Sequence, residues 1–131
     1  MRRARGRQSR LLRRTKFRFG GYFELDPGKY ELRLLGQPLR LRPIPFELLH
    51  LLIRQRGQLV SRDQIVSRVW GVTAPSIDTD RNINETIKQI RKVLRDDVDQ
   101  SRFIKTVFTR GYRFVAPVRV VRGARVRAFV P

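Results

Sequence analysis

Cysteine is absent from the chain and histidine occurs once, at His50. The first absence removes disulfide scaffolds, thiolate metal sites and cysteine nucleophiles at a stroke, and fits a reducing compartment. The second leaves no partner for a histidine-based metal site or a histidine-assisted nucleophile. No glycine motif of the phosphate-cradling kind is present, and no serine sits in a nucleophile motif. Long apolar runs are missing too: the longest nearly continuous stretch, 48–53, is broken by His50 and falls far short of the ~20 residues of a membrane-spanning helix. The sequence thus predicts a soluble protein without catalytic residues, metal or cofactor.

Acidic residues are scarce as well. Thirty Lys and Arg stand against eleven Asp and Glu, a net charge of +19 on 131 residues, which points to a polyanionic partner. The excess is concentrated at the ends. Residues 1–18 hold nine basic residues and no acid, and 118–131 hold four more, again without an acid. The first stretch shares its Arg-rich, acid-free character with organellar transit peptides but reads better as a disordered basic arm, and the last as a basic tail. Between them, 19–117 form one moderately basic domain whose 17 basic residues meet all 11 acids. With 40% apolar residues the chain can build one ordinary core.

Tyr22-Phe-Glu-Leu, Tyr30-Glu-Leu-Arg-Leu and Leu39-Arg-Leu alternate apolar and polar residues, with Asp26-Pro27-Gly28 and Gly36-Gln37 between them. Such alternation predicts antiparallel strands with one wet face. The period then changes. Phe46, Leu49, Leu52 and Ile53 are spaced for a helix over 43–56, with prolines tolerable in its first turn and Gly57 to end it. Ser61-Arg-Asp-Gln64 reads as a capping box opening a short second helix that carries Ile65, Val66, Val69 and Trp70 and stops at Gly71. A loop over 72–79 follows. A third helix, 80–95, is predicted from Ile83, Ile87, Ile90 and Leu94, with Asp80 as its cap. At 100° per residue, Arg81, Glu85, Lys88 and Lys92 fall opposite that stripe, flanked by Asn84, Gln89, Arg91 and Arg95. Asp96, Asp97 and Asp99 lack calcium-loop spacing and read as a solvated turn. Phe103-Ile-Lys-Thr-Val107 and Tyr112-Arg-Phe-Val115 then predict a hairpin closed near Thr109-Arg110-Gly111.

Leu41-Arg-Pro-Ile-Pro-Phe-Glu-Leu-Leu49, Gly57-Gln-Leu-Val-Ser-Arg62, Val69-Trp-Gly71, Ile87-Lys-Gln-Ile-Arg-Lys-Val-Leu-Arg-Asp96 and Arg110-Gly-Tyr-Arg-Phe114 occur in one order. In that order the chain resembles the OmpR/PhoB-type winged helix-turn-helix DNA-binding domain of bacterial transcription regulators, over 19–117. The Asn84 region and the ending Gly111-Tyr-Arg-Phe-Val-Ala-Pro117 look most like one-component members that carry the domain ahead of a sensor, without a phosphoacceptor domain. The resemblance implies an α+β fold: a four-stranded antiparallel sheet, three helices and a C-terminal β-hairpin wing. It implies sequence-specific binding of double-stranded DNA, with the third helix in the major groove and the wing, 103–115, at the minor groove. Position by position, Gln89 and Glu85 fall at base-contact positions, and Trp70, Arg81, Thr86, Lys88, Arg91, Lys92, Thr106 and Tyr112 at backbone positions. Further implied are RNA polymerase as a partner through the 71–79 loop, side-by-side dimers on repeated half-sites, and a bacterial cytoplasmic, nucleoid-associated location. The sequence departs from the pattern in places. The 71–79 loop is longer than in common members, Arg42 replaces a capping threonine at a cost of ~1 kcal/mol, and Phe108 stands where relatives carry a minor-groove arginine, leaving Arg110 as its substitute. The competing class is a nonspecific basic nucleic-acid-binding structural protein, for which charge alone argues.

Overall fold

Alternation of Lys16, Phe17, Arg18 and Phe19 makes the first strand, β1 (Lys16–Phe19), and sets the pattern of the sheet it belongs to. The computed structural model describes residues 15–72 and 76–123. The chain divides into two compact units, one of strands from both ends of the sequence and one spanning Arg40–Pro117.

In the first unit β1, β2 (Phe23–Asp26), β3 (Glu31–Leu34) and β4 (Gln37–Leu39) form an antiparallel meander. A further strand, β8 (Val118–Val121), joins it beside β1, giving the order β4-β3-β2-β1-β8. Pairing of Phe17 with Leu25 and Phe19 with Phe23 places the apolar side chains on one face, where they are buried. The other face is charged. Arg18 opposes Glu24, which opposes Arg33, and ion pairs of 3.0 and 2.9 Å link the three. Pro38 sits on the edge strand, where its missing N–H costs least.

Three features differ from the sequence expectation. β1 lies partly inside the segment read as arm 1–18, and β8 inside the segment read as tail 118–131, so the sheet has five strands rather than four. Counting charge over those segments hid a period of two in which the basic residues are simply the wet face. Residues 1–14 and 124–131, most of the remainder of both segments, lie outside the described residues. Lastly, the strand expected at 39–41 is β4, at Gln37–Leu39.

The second unit is built on α1 (Pro43–Arg54), whose Phe46, Leu48, Leu49, Leu51, Leu52 and Ile53 are all buried. Pro43 opens it, and Arg42 at the cap makes no side-chain capping bond. A two-residue strand, β5 (Val60–Ser61), leads into α2 (Arg62–Ile65), capped reciprocally by Ser61 and Gln64. Its last turn, Val66–Trp70, widens to a π-turn and ends at Gly71 with φ +69°. The third helix, α3, spans Ile77–Leu94.

That helix starts earlier than the expected Asp80. Ser76 caps it through a reciprocal box with Thr79, and Asp78 and Asp80 fall in the first turn, where the helix dipole favours them. Ile77 is exposed, so the apolar stripe gave no sign of this extra turn. The expected loop 71–79 is correspondingly short, and its residues 73–75 lie outside the described residues.

After α3 come β6 (Ile104–Val107) and β7 (Gly111–Phe114), a hairpin that pairs with β5 in the order β5-β7-β6. Gly111 is required there. It faces Ser61 across the β5–β7 pair, and a Cβ would strike the main-chain oxygen of Val60. Asp96 takes up the turn before the wing: its carboxylate accepts from the amides of Arg102 at 2.7 Å, Phe103 at 3.2 Å and Ile104 at 2.8 Å. It is an anchor for the wing, not the solvated turn expected.

Candidate nucleic-acid interface

α3 separates its residues by the angle they occupy. Ile83, Ile87, Ile90 and Leu94 are buried, while Arg81, Glu85, Lys88, Gln89 and Lys92 are exposed on the opposite side. Three cations, an amide and one carboxylate therefore share an open helix face, a composition suited to phosphates and base edges. A groove runs along each flank. On one side Glu85 and Gln89 line a groove with the half-buried Trp70, Arg42 and Pro43. On the other, Lys88 and Lys92 face Asn84, Asp96 and Tyr112, so this groove lies between the helix and the wing.

The wing is cationic on its outer side. Thr106 pairs with Tyr112 and Ile104 with Phe114, which puts Lys105 directly opposite Arg113 on the alternate face. Like charges in opposed positions destabilise a hairpin unless a counter-charge meets them. Arg110 is exposed in the turn.

Three of the sequence-predicted contact residues are turned inward. Arg91 is 8% exposed, and its Nη2 donates to the carbonyl of Ile104 at 2.8 Å and to Thr106 Oγ1 at 2.9 Å. Its Nε is buried without a hydrogen-bond partner among the described residues. Thr86 is buried and donates to the carbonyl of Asn82 one turn back. Tyr112 is buried up to its hydroxyl, which donates to Asn84 Oδ1 at 3.3 Å. Tyr112 follows strand parity, while Thr86 and Arg91 stand at the two borders of the apolar stripe, where their hydrogen bonds draw them inward.

The 36–114 stretch that carries this geometry matches the model of a family described as transcriptional regulatory protein, C terminal. The chain belongs to this family. It is 37% identical over 92 residues to the DNA-binding dual master transcriptional regulator RpaA of Synechocystis, covering 70% of this chain and 37% of RpaA. Over 99 residues it is 32% identical to the transcriptional activator CadC of Escherichia coli, covering 75% of this chain but 19% of CadC. The chain thus spans well under half the length of these relatives. Among solved structures, the RstA DNA-binding domain of Klebsiella pneumoniae in complex with the RstA box superposes with a TM-score of 0.68 at 31% identity, covering 76% of this chain and 96% of that one. The DNA-binding domain of E. coli CadC gives 0.66 at 27% identity, covering 82% and 97%. The fold is the mixed α/β winged helix of OmpR/PhoB-type domains, and no helix among the described residues is long and apolar enough to cross a membrane.

Within this OmpR/PhoB-type domain, one cluster escaped the sequence reading. Arg62, the first residue of α2, donates from Nε to Asp80 Oδ1 at 3.0 Å and from Nη2 to Asn84 Oδ1 at 3.0 Å. Its Nη1 donates to the Tyr112 hydroxyl at 3.2 Å. One guanidinium therefore joins α2, the start of α3 and the wing. Burial pulls its pKa down, but the bonds to Asp80 and Tyr112 outweigh this and hold it above its ordinary value. An arginine just inside a helix cap ordinarily points to solvent, so local pattern carried no signal.

Proposed function

We propose that this chain binds double-stranded DNA sequence-specifically to regulate transcription, with α3 in the major groove and the β6–β7 wing at the adjacent minor groove. What supports the reading is the exposed face of α3, which carries Gln89 and Glu85 beside Arg81, Lys88 and Lys92; in this reading the first two meet base edges and the three cations phosphates. Glutamine can bridge two groups of an adenine edge, and glutamate accepts from a cytosine amine. Trp70 lines the same surface, and Thr106 and Arg110 are the wing's contacts to the backbone and the minor groove in this reading. Thr86, Arg91 and Tyr112 act on DNA through the positions of the helix and wing they brace, not by touching phosphate. The domain works by binding alone, without catalysis, in the bacterial cytoplasm on nucleoid DNA. RNA polymerase is the partner of the short connection between α2 and α3, and two copies occupy repeated half-sites.

Selection of bound fragments from a genomic library, followed by footprinting, tests this. A recurrent motif protected over about one helical turn or its multiples supports the reading. Enrichment without any shared motif would leave only the nonspecific nucleic-acid-binding alternative.

A further inference from the structure

Phe108 is the most exposed large apolar side chain among the described residues, at 84%. Single exposed hydrophobes are common and need no explanation by themselves. The place of this one does. It stands in the turn Val107–Arg110, closed by a bond from the Arg110 amide to the Val107 carbonyl at 2.9 Å. The residue after it, Thr109, has φ +60°, a left-handed conformation that β-branched side chains rarely adopt. Turns of this kind ordinarily hold Gly, Asn or Asp, which would relieve the strain and keep the tip polar. Here both central positions carry residues that folding alone disfavours, one exposed to water and one strained, and such outliers concentrate where they are used.

The surroundings identify the partner. Lys105 and Arg113 oppose each other across the hairpin, Arg110 follows the tip, and no acidic residue occurs over 103–115. None of the three cations forms an ion pair among the described residues. A hairpin of this charge is suited to phosphates, and with the wing at a groove, as proposed above, its apolar tip enters between the two phosphate rows. A groove between such rows offers an aromatic ring two apolar surfaces: sugar faces and the gap between stacked bases. Apolar wedges of this kind enter from the minor groove, part a base step and bend the duplex.

We propose that Phe108 is a minor-groove wedge that unstacks one base step under the wing, giving the chain a preference for a flexible pyrimidine–purine step there. The proposal rests on the DNA-binding reading above. Specificity at that step comes from deformability of the duplex, since a phenyl ring has no hydrogen bonds to offer.

The test uses the full chain and a short duplex taken from the sequences it selects, with 2-aminopurine substituted in turn at each step under the wing. The fluorophore brightens when unstacked. Wild type and Phe108→Leu are expected to brighten it at one step, and Phe108→Ala and Phe108→Arg are not. Phe108→Ala should bind about tenfold more weakly where that step is pyrimidine–purine and change little where it is stiff. Because the side chain is exposed, its melting temperature should match wild type. Equal fluorescence and affinity for Phe108→Ala and wild type would overturn the proposal. So would loss of paired binding by two copies with fluorescence unchanged, which would make Phe108 a protein contact. Were the chain to select no sequence at all, the transcription reading would fall, yet Phe108-dependent brightening on a random duplex would still uphold the wedge.

Discussion

Arg91 donates to the carbonyl oxygen of Ile104 at 2.8 Å, so the inward side of α3 holds the first strand of the wing by a charged hydrogen bond. Arg91→Ala should therefore lower stability by about 1.5–3 kcal/mol, the range for losing bonds to a charged group, measured by thermal or denaturant unfolding. DNA affinity should fall on every sequence, but the slope of log K against log salt should stay as in wild type. A loss of about 0.9 in that slope would instead mark Arg91 as a phosphate contact.

Lys88 and Gln89 are neighbours in sequence with different expected roles. Lys88→Ala should weaken all duplexes alike and reduce the salt slope by about one. Gln89→Ala should leave the slope unchanged and lose roughly 1–3 kcal/mol of discrimination at a single base pair. Binding titrations on single-base variants of the selected site, at several salt concentrations, separate the two patterns. Identical behaviour of both mutants would contradict the assignment.

Asp96 gathers three main-chain amides ahead of the wing. Asp96→Ala leaves them without this acceptor, and the expected cost is about 1–3 kcal/mol, with Asp96→Asn recovering part of it. Hydrogen exchange should show the largest loss of protection at Arg102, Phe103 and Ile104. Unchanged protection there would refute the anchoring role.

His50 gives the domain a pH dependence. Burial, aided by Arg54 and opposed by Glu47, lowers its pKa from 6.5 to about 4. Between those values the unfolded chain binds a proton that the folded chain refuses, so the neutral ring's contribution is complete above pH 6.5 and is lost as pH falls toward 4. Because the ring keeps part of its solvent contact, the effect should be of order 1–2 kcal/mol. Melting temperature followed over this range should fall more steeply for wild type than for His50→Leu. Equal slopes would remove His50 as the cause.

Much of the second unit was legible because its signals are local. The Ser61–Gln64 box, the stop at Gly71 and the isoleucine stripe of α3 each lie within one or a few turns of helix, and each is found where expected. β1 was obscured because its wet face is made of Lys16 and Arg18, which a charge count assigns to a tail. β8 depends on pairing with β1, a partner about a hundred residues away in sequence that its own residues do not announce. The first turn of α3 leaves no mark in the hydrophobic pattern, because Ile77 is exposed and the apolar stripe begins only at Ile83. Arg62 and Arg91 were illegible for the same reason as each other. Their partners lie far off in sequence, Tyr112 being 50 residues from Arg62, and an arginine that braces a fold reads in sequence like one that meets DNA.

The claim on which the rest depends is that the open face of α3 reads base edges. Its most direct measurement is the ratio of affinities for a selected duplex and a random duplex of equal length, taken across a salt series. A ratio of about a thousandfold or more near physiological salt, collapsing in the Glu85→Ala, Gln89→Ala double mutant, is the predicted result. A ratio near one at every salt concentration, unaffected by those substitutions, would contradict it.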